Sequence, residues 1–114
     1  MATYRGIIIE GSKKASGLGF PTANMRIADV VTGIYAGTVL VDGTEFRAAI
    51  FGDAGRKLLE AYLLDFSGDL YGKEAVFSLL EKVRDHADFA DDAALKSAIM
   101  ADVEKVAAYF KRLS

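Results

Sequence analysis

Apolar residues change their spacing once along this chain. From Thr3 to about Val83 they come in short runs rich in β-branched and aromatic residues, separated by glycine. "YRGIIIEG" reads as a strand with three consecutive isoleucines. "GIYAGTVLV" and "TEFRAAIF" flank Asp42-Gly43. Asp-Gly between two such runs predicts a tight hairpin, because both central residues of that turn need positive φ. "KLLEAYLLDF" is the next strand, "SGDLYG" a turn, and "KEAVFSLLEKVR" a further strand. Beyond it the period becomes helical. Asp91 or Asp92 can cap a helix running to about Leu113. Leu95, Ile99, Val103, Val106, Phe110 and Leu113 recur every three or four residues and form one apolar stripe.

Five or six short antiparallel strands leave edges that must be covered or joined. Closure into a small barrel with the helix packed against it satisfies that need. An open sheet with the helix across one face competes, and periodicity alone does not choose between them.

Composition narrows the function. The length of 114 residues predicts one domain, 1–114, and 52% apolar residues suffice for a core. A net charge of -2 without a dense basic run argues against nucleic acid. No apolar stretch is of membrane-spanning length and no charged-then-apolar leader is seen, so a cytoplasmic protein without a membrane partner is expected. Zero cysteines exclude disulfides and thiolate metal sites, and the single histidine, His86, excludes a histidine zinc cage.

Chemistry is concentrated at "GLGFPTANMRI", which holds the only proline, Pro21. Pro21 pushes Phe20 toward an extended conformation, and Gly17 and Gly19 permit close approach to the backbone. In an extended segment Thr22 and Asn24 lie on one side, about 7 Å apart along the chain. They offer neutral, hard oxygens suited to Mg²⁺ that also carries phosphate. The competing reading is a rigid turn in which both side chains satisfy local backbone groups. Glu60 is the second candidate. On a strand it shares a face with Leu58, Tyr62, Leu64 and Phe66. Burial there would raise its pKa and fit it to accept a proton, whereas at a strand end it would reach water. Lys13 and Lys14 in "GSKKASG" form a phosphate-binding candidate or a solvated pair. Arg84, His86 and the acids Asp85, Asp88, Asp91 and Asp92 read as a loop and helix cap rather than a metal site.

Several stretches, in order, resemble the ATP-dependent riboflavin kinase family, in particular the kinase module of bacterial bifunctional riboflavin kinase/FAD synthetases. "LGFPTANM" matches its signature, "GIYAGTV" is similar to its GVYA strand, and "LLEAYLLDFSGDLYG" is similar to its E-x-x-x-L-D-F-x-x-D-L-Y-G segment. "EKVRDHADFADDAALKSAIMADVEKV" is similar to its closing pattern through Arg84, Phe89, Leu95, Ile99 and Asp102. The resemblance implies a mainly β fold, a six-stranded antiparallel closed barrel with one long C-terminal helix. It implies transfer of the ATP γ-phosphate to the 5′-hydroxyl of riboflavin, giving FMN and ADP. It implies Glu60 as catalytic base and Thr22 and Asn24 as Mg²⁺-nucleotide ligands. Gly11, Lys13, Gly19 and Pro21 would also lie at the bound ligands, with Arg84 and Phe89 on a loop closing near the flavin. The chain departs from the pattern at Ala15 and Ser16, where glycine and arginine are usual. It departs again in "IFGDAGRKLLE", which is shorter than its counterpart and lacks a proline-threonine flap. With no adenylyltransferase domain before Met1, FAD synthesis is not expected within this chain, and a monomer or a module of a larger enzyme is expected. A flavin- or nucleotide-binding module with weakened catalysis is the alternative function, and a barrel that only mediates assembly is a third.

Overall fold

The structure, a computed structural model, describes residues 1–10, 22–66 and 68–113. Gly11, Lys13, Gly19 and Pro21 lie outside the described residues, as do Lys14, Ala15 and Ser16. The strands are β1 (Ala2–Ile9), β2 (Ala23–Arg26), β3 (Gly33–Val41), β4 (Thr44–Asp53), β5 (Leu58–Leu63) and β6 (Glu74–Arg84). One long helix, α1 (Asp92–Leu113), follows. The strands close into an antiparallel barrel in the order β1-β2-β5-β4-β3-β6. Closure was one of two arrangements open to the periodicity, and the six-stranded barrel is the one the resemblance implied. No helix among the described residues is long and apolar enough to cross a membrane.

Alternation along each strand fills the barrel. Ile8, Met25, Val39, Ile50, Leu59 and Phe77 are almost wholly buried inside it. The three isoleucines of β1 are split by the pleat: Ile8 points in, whereas Ile7 is half exposed. Asp42 and Gly43 take φ values of 52° and 75° at the β3–β4 hairpin, the left-handed pair that a two-residue turn requires. Gly37 is needed for another reason. A Cβ there would stand 2.2 Å from the Ser78 carbonyl oxygen, so only glycine lets β3 approach β6 this closely.

The helix lies on the outside of the barrel. Ala36 on β3 and Ala49 on β4 are direct cross-strand partners. Their small side chains let α1 come close, and Val106 and Phe110 fill the space, with Leu80, Val83, Val103 and Phe51 around them. Burying side chains of this size contributes about 1.5–3 kcal/mol each. The Arg47 guanidinium covers the Phe110 ring at 5.2 Å. Asp91 is the cap: its carboxylate accepts from the Ala94 amide at 2.8 Å. Two details correct the sequence reading of the stripe. Leu113 is 65% exposed, so the stripe ends at Phe110, and Asp102 occupies a fully buried place among the apolar residues.

Candidate active site

A lateral row of residues crosses the outer wall of the barrel. Asn24 on β2 pairs with Glu60 on β5, Glu60 with Phe51 on β4, Phe51 with Ile34 on β3, and Ile34 with Arg84 on β6. Direct partners on adjacent strands point to one face. Four strand steps make this row roughly 19 Å long along the curved wall. Its last member depends on irregular pairing. The β3–β6 register shifts between Ile34 and Tyr35 and again between Ala36 and Gly37. Each shift inserts one extra residue in β6, so Arg84 stands opposite Ile34 where unbroken pairing would have put Lys82.

Above this row lies a cleft of about 460 Å³ between the barrel, the segment after β6 and the first turns of α1. Ile34, Phe51, Phe89, Leu95 and Ile99 make its walls apolar. Thr22, Asp53, Arg56, Glu60, Arg84 and His86 supply the polar groups.

Glu60 is half-buried on the cleft wall. Its carboxyl is held above the usual glutamate range first by burial and next by the charge of Asp53, with Arg56 acting in the opposite sense. Arg56 is engaged by Asp53, 3.7 Å from its carboxylate through Nε and bonded through its backbone amide at 3.1 Å. Glu60's surroundings differ from the sequence expectation. β5 ends at Leu63, and Asp65 takes a φ of 55°, which breaks the alternation. Phe66 therefore packs into the barrel core against Phe46 instead of sharing the face of Glu60. The apolar neighbour on that face is Phe51, supplied by the adjacent strand.

Thr22 and Asn24 sit beside Glu60. Asn24 is 3% exposed, and its Nδ2 donates to the Thr22 carbonyl at 3.1 Å and to Thr22 Oγ1 at 3.4 Å. These bonds aim the amide nitrogen at Thr22 and fix Oδ1 on the other side. Asn24 Oδ1 is buried and has no hydrogen-bond partner among the described residues. A buried acceptor left unpaired costs about 1–3 kcal/mol. Part of the turn reading thus holds, since Asn24 does satisfy a local carbonyl, but its oxygen is left over. That oxygen and the Thr22 hydroxyl fit a small, hard cation arriving with other ligands of its own.

Arg84 and Phe89 lie at the opposite end. Arg84 Nε and Nη2 donate to the two oxygens of Asp102, each at 2.8 Å, and Nη1 donates to the Asp85 carbonyl at 3.0 Å. The guanidinium stands 5.5 Å from the centre of the Phe89 ring. His86, on the rim, meets Asp88 at 3.1 Å. Ile34 and Phe51 in the cleft wall, and Asp102 behind it, are among the residues that reasoning on the sequence did not assign to the site. Each enters through strand register or helix packing, which local patterns do not record.

Comparison with known proteins decides the family. The family model for Flavokinase, riboflavin kinase, matches residues 1–110. This chain belongs to the riboflavin kinase family. A bifunctional riboflavin kinase/FMN adenylyltransferase from Pseudomonas fluorescens is 38% identical over 109 residues, covering 86% of this chain and 35% of that protein. The riboflavin kinase domain thus spans about a third of the length of that relative. Among solved structures, riboflavin kinase from Trypanosoma brucei superposes with a TM-score of 0.67 at 26% identity, over 96% of this chain and 79% of that one. A crystal structure described as a macrolide-efflux protein from Streptococcus pneumoniae superposes with a TM-score of 0.76 at 25% identity, over 90% of this chain and 37% of that one.

Proposed function

We propose that this domain transfers the γ-phosphate of ATP to the 5′-hydroxyl of riboflavin, with Mg²⁺, giving FMN and ADP. The observation that carries the reading is the direct pairing of Asn24 with Glu60, which together with Thr22 lines an apolar cleft. The cleft wall of Phe51, Ile34, Phe89, Leu95 and Ile99 suits a flat heteroaromatic ring system. The hydroxyl tail of such a ligand then reaches Glu60. Glu60 accepts the hydroxyl proton as that oxygen bonds to the γ-phosphorus and the bond to the ADP oxygen breaks. Its raised pKa makes it a better acceptor, because a desolvated carboxylate holds its proton more strongly. Little else is asked of side chains, since phosphoryl transfer depends mainly on alignment and charge neutralisation.

Thr22 Oγ1 and Asn24 Oδ1 are the groups that would hold Mg²⁺. When bound, the ion neutralises phosphate charge and orients the nucleotide. Glu60 then serves as acceptor one strand away from these oxygens. By their motifs, Gly11, Lys13, Gly19 and Pro21 are assigned to the same nucleotide side. The domain works either alone or as one module of a longer bifunctional chain.

The test is FMN formation by the purified domain from riboflavin and Mg-ATP. Product that requires both substrates and the metal is expected. Binding of riboflavin and ADP without turnover would replace the reading by a binding module. Binding of neither would leave a barrel with a role in assembly.

A further inference from the structure

Asp102 is 1% exposed and sits on α1 between Ile99 and Val106, both buried. Packing alone would favour an apolar side chain there. Replacing a buried ion pair by well-packed apolar residues is often neutral or stabilising, so the pair's contribution is sought in geometry. Both carboxylate oxygens are taken by Arg84 in a two-pronged pairing. Arg84 itself touches three parts of the molecule: the end of β6, the Asp85 carbonyl in the following segment, and the face of Phe89. Arg84, Phe89 and Ile99 line the cleft, whereas Asp102 stands behind them.

We infer that Asp102 is a positioning residue for the flavin end of the cleft, holding the Arg84 guanidinium so that Phe89 and the segment from Asp85 to Asp91 form a fixed wall. The planar fork of Arg84 is set in two directions by Asp102 and in a third by Asp85, which leaves one orientation for its face. Phe89 docks on that face. The inference rests on the proposed reaction for the identity of the ligand, and on the structure for the wall.

The chain has no tryptophan, so Phe89→Trp gives a single tryptophan, excited apart from the five tyrosines, at the wall, and tryptophan suits the guanidinium face well. In that background Arg84→Met with Asp102→Leu removes both charges together. The double variant should fold with a melting temperature at or above the parent's. Its tryptophan emission should shift to the red. Riboflavin affinity should fall by about tenfold or more, as for loss of a charge-assisted contact, with ADP affinity held within about twofold. Unchanged emission, or riboflavin affinity within about twofold of the parent, in the folded double variant would overturn the inference. If the double variant does not fold, Asp102→Asn is judged by the same two measurements and the same limits. A parent protein that makes no FMN or binds no riboflavin sinks the proposed reaction, and the emission shift still decides the role of Asp102.

Discussion

Glu60 and Phe51 stand on strands paired on both sides, whereas Phe89, Leu95 and Ile99 belong to a segment and a helix that meet the barrel through side chains. The first wall of the cleft is thus fixed by ladder hydrogen bonds, and single side-chain changes leave its backbone in place. The second wall depends on a few anchors, chiefly Val106, Phe110 and the Arg84–Asp102 pair. Glu60, the proton acceptor we propose, falls on the first. Groups that have only to pack against the ligand fall on the second.

The sharpest separation of the two walls comes from Glu60→Gln. The shape is kept and the acceptor is removed, so FMN turnover should fall by about 10²–10⁴-fold. Riboflavin affinity should change far less. Stability at neutral pH should not drop, because a desolvated charge has been taken away. Turnover that survives the change would take Glu60 out of the mechanism and leave the sheet wall as scaffold.

Val106→Asp attacks the helix wall and should cost about 3–5 kcal/mol, since it buries an unpaired charge against Ala36 and Ala49. Lys105→Asp, on the exposed side of the helix, should stay within about 0.5 kcal/mol. Denaturant midpoints compare them directly, and similar values would mean that α1 does not dock by this face.

Thr22→Ala and Asn24→Ala should each weaken Mg²⁺-nucleotide binding by roughly tenfold, the scale of one lost polar contact. The loss should be confined to the metal-dependent part. Equal nucleotide affinity in variants and parent, with and without Mg²⁺, would reduce both residues to turn formers.

The smallest effect is in pH. The folded-state pKa of Glu60 lies above its usual value of 4.5. Below that usual value the group is protonated in both states and its contribution to stability is fully present. The contribution is lost as pH rises through the raised folded-state pKa. Turnover has the opposite slope, because only the ionised carboxylate accepts a proton. The acid limb of kcat against pH should therefore lie above the ordinary glutamate range and vanish in Glu60→Gln. An acid limb at the ordinary value would show that the cleft does not desolvate Glu60.

The strands, the Asp42-Gly43 hairpin and the helix were legible because alternation, turn chemistry and helical spacing are local properties. Thr22, Asn24 and Glu60 were legible as residues, and their motifs set them apart, but their adjacency was not: it arises from β2 pairing with β5 across more than thirty residues of chain. Phe66 was misplaced because the sequence does not announce that Asp65 turns out of the strand. Asp102 was visible as a motif residue, but its role was hidden for a different reason. An acidic residue inside an apolar stripe looks like a flaw in the pattern until its partner, Arg84, is seen two bulges along β6.

β2 is four residues long, and among the described residues it is joined to β1 through the pairs Ile8–Met25 and Ile9–Asn24. The cylinder is therefore closed by its shortest stave, and the same stave carries Asn24 into the site. A ligand held by the oxygens of Asn24 and Thr22, as we propose, would also act as a clasp on that seam. Amide protons of Asn24 and Ile9 should exchange faster than those in the β3–β4 pair, and they should slow most when nucleotide is added, since a ligand that binds only the closed form withdraws population from the open one. On that reading, bound nucleotide would be part of the hoop that keeps the barrel shut.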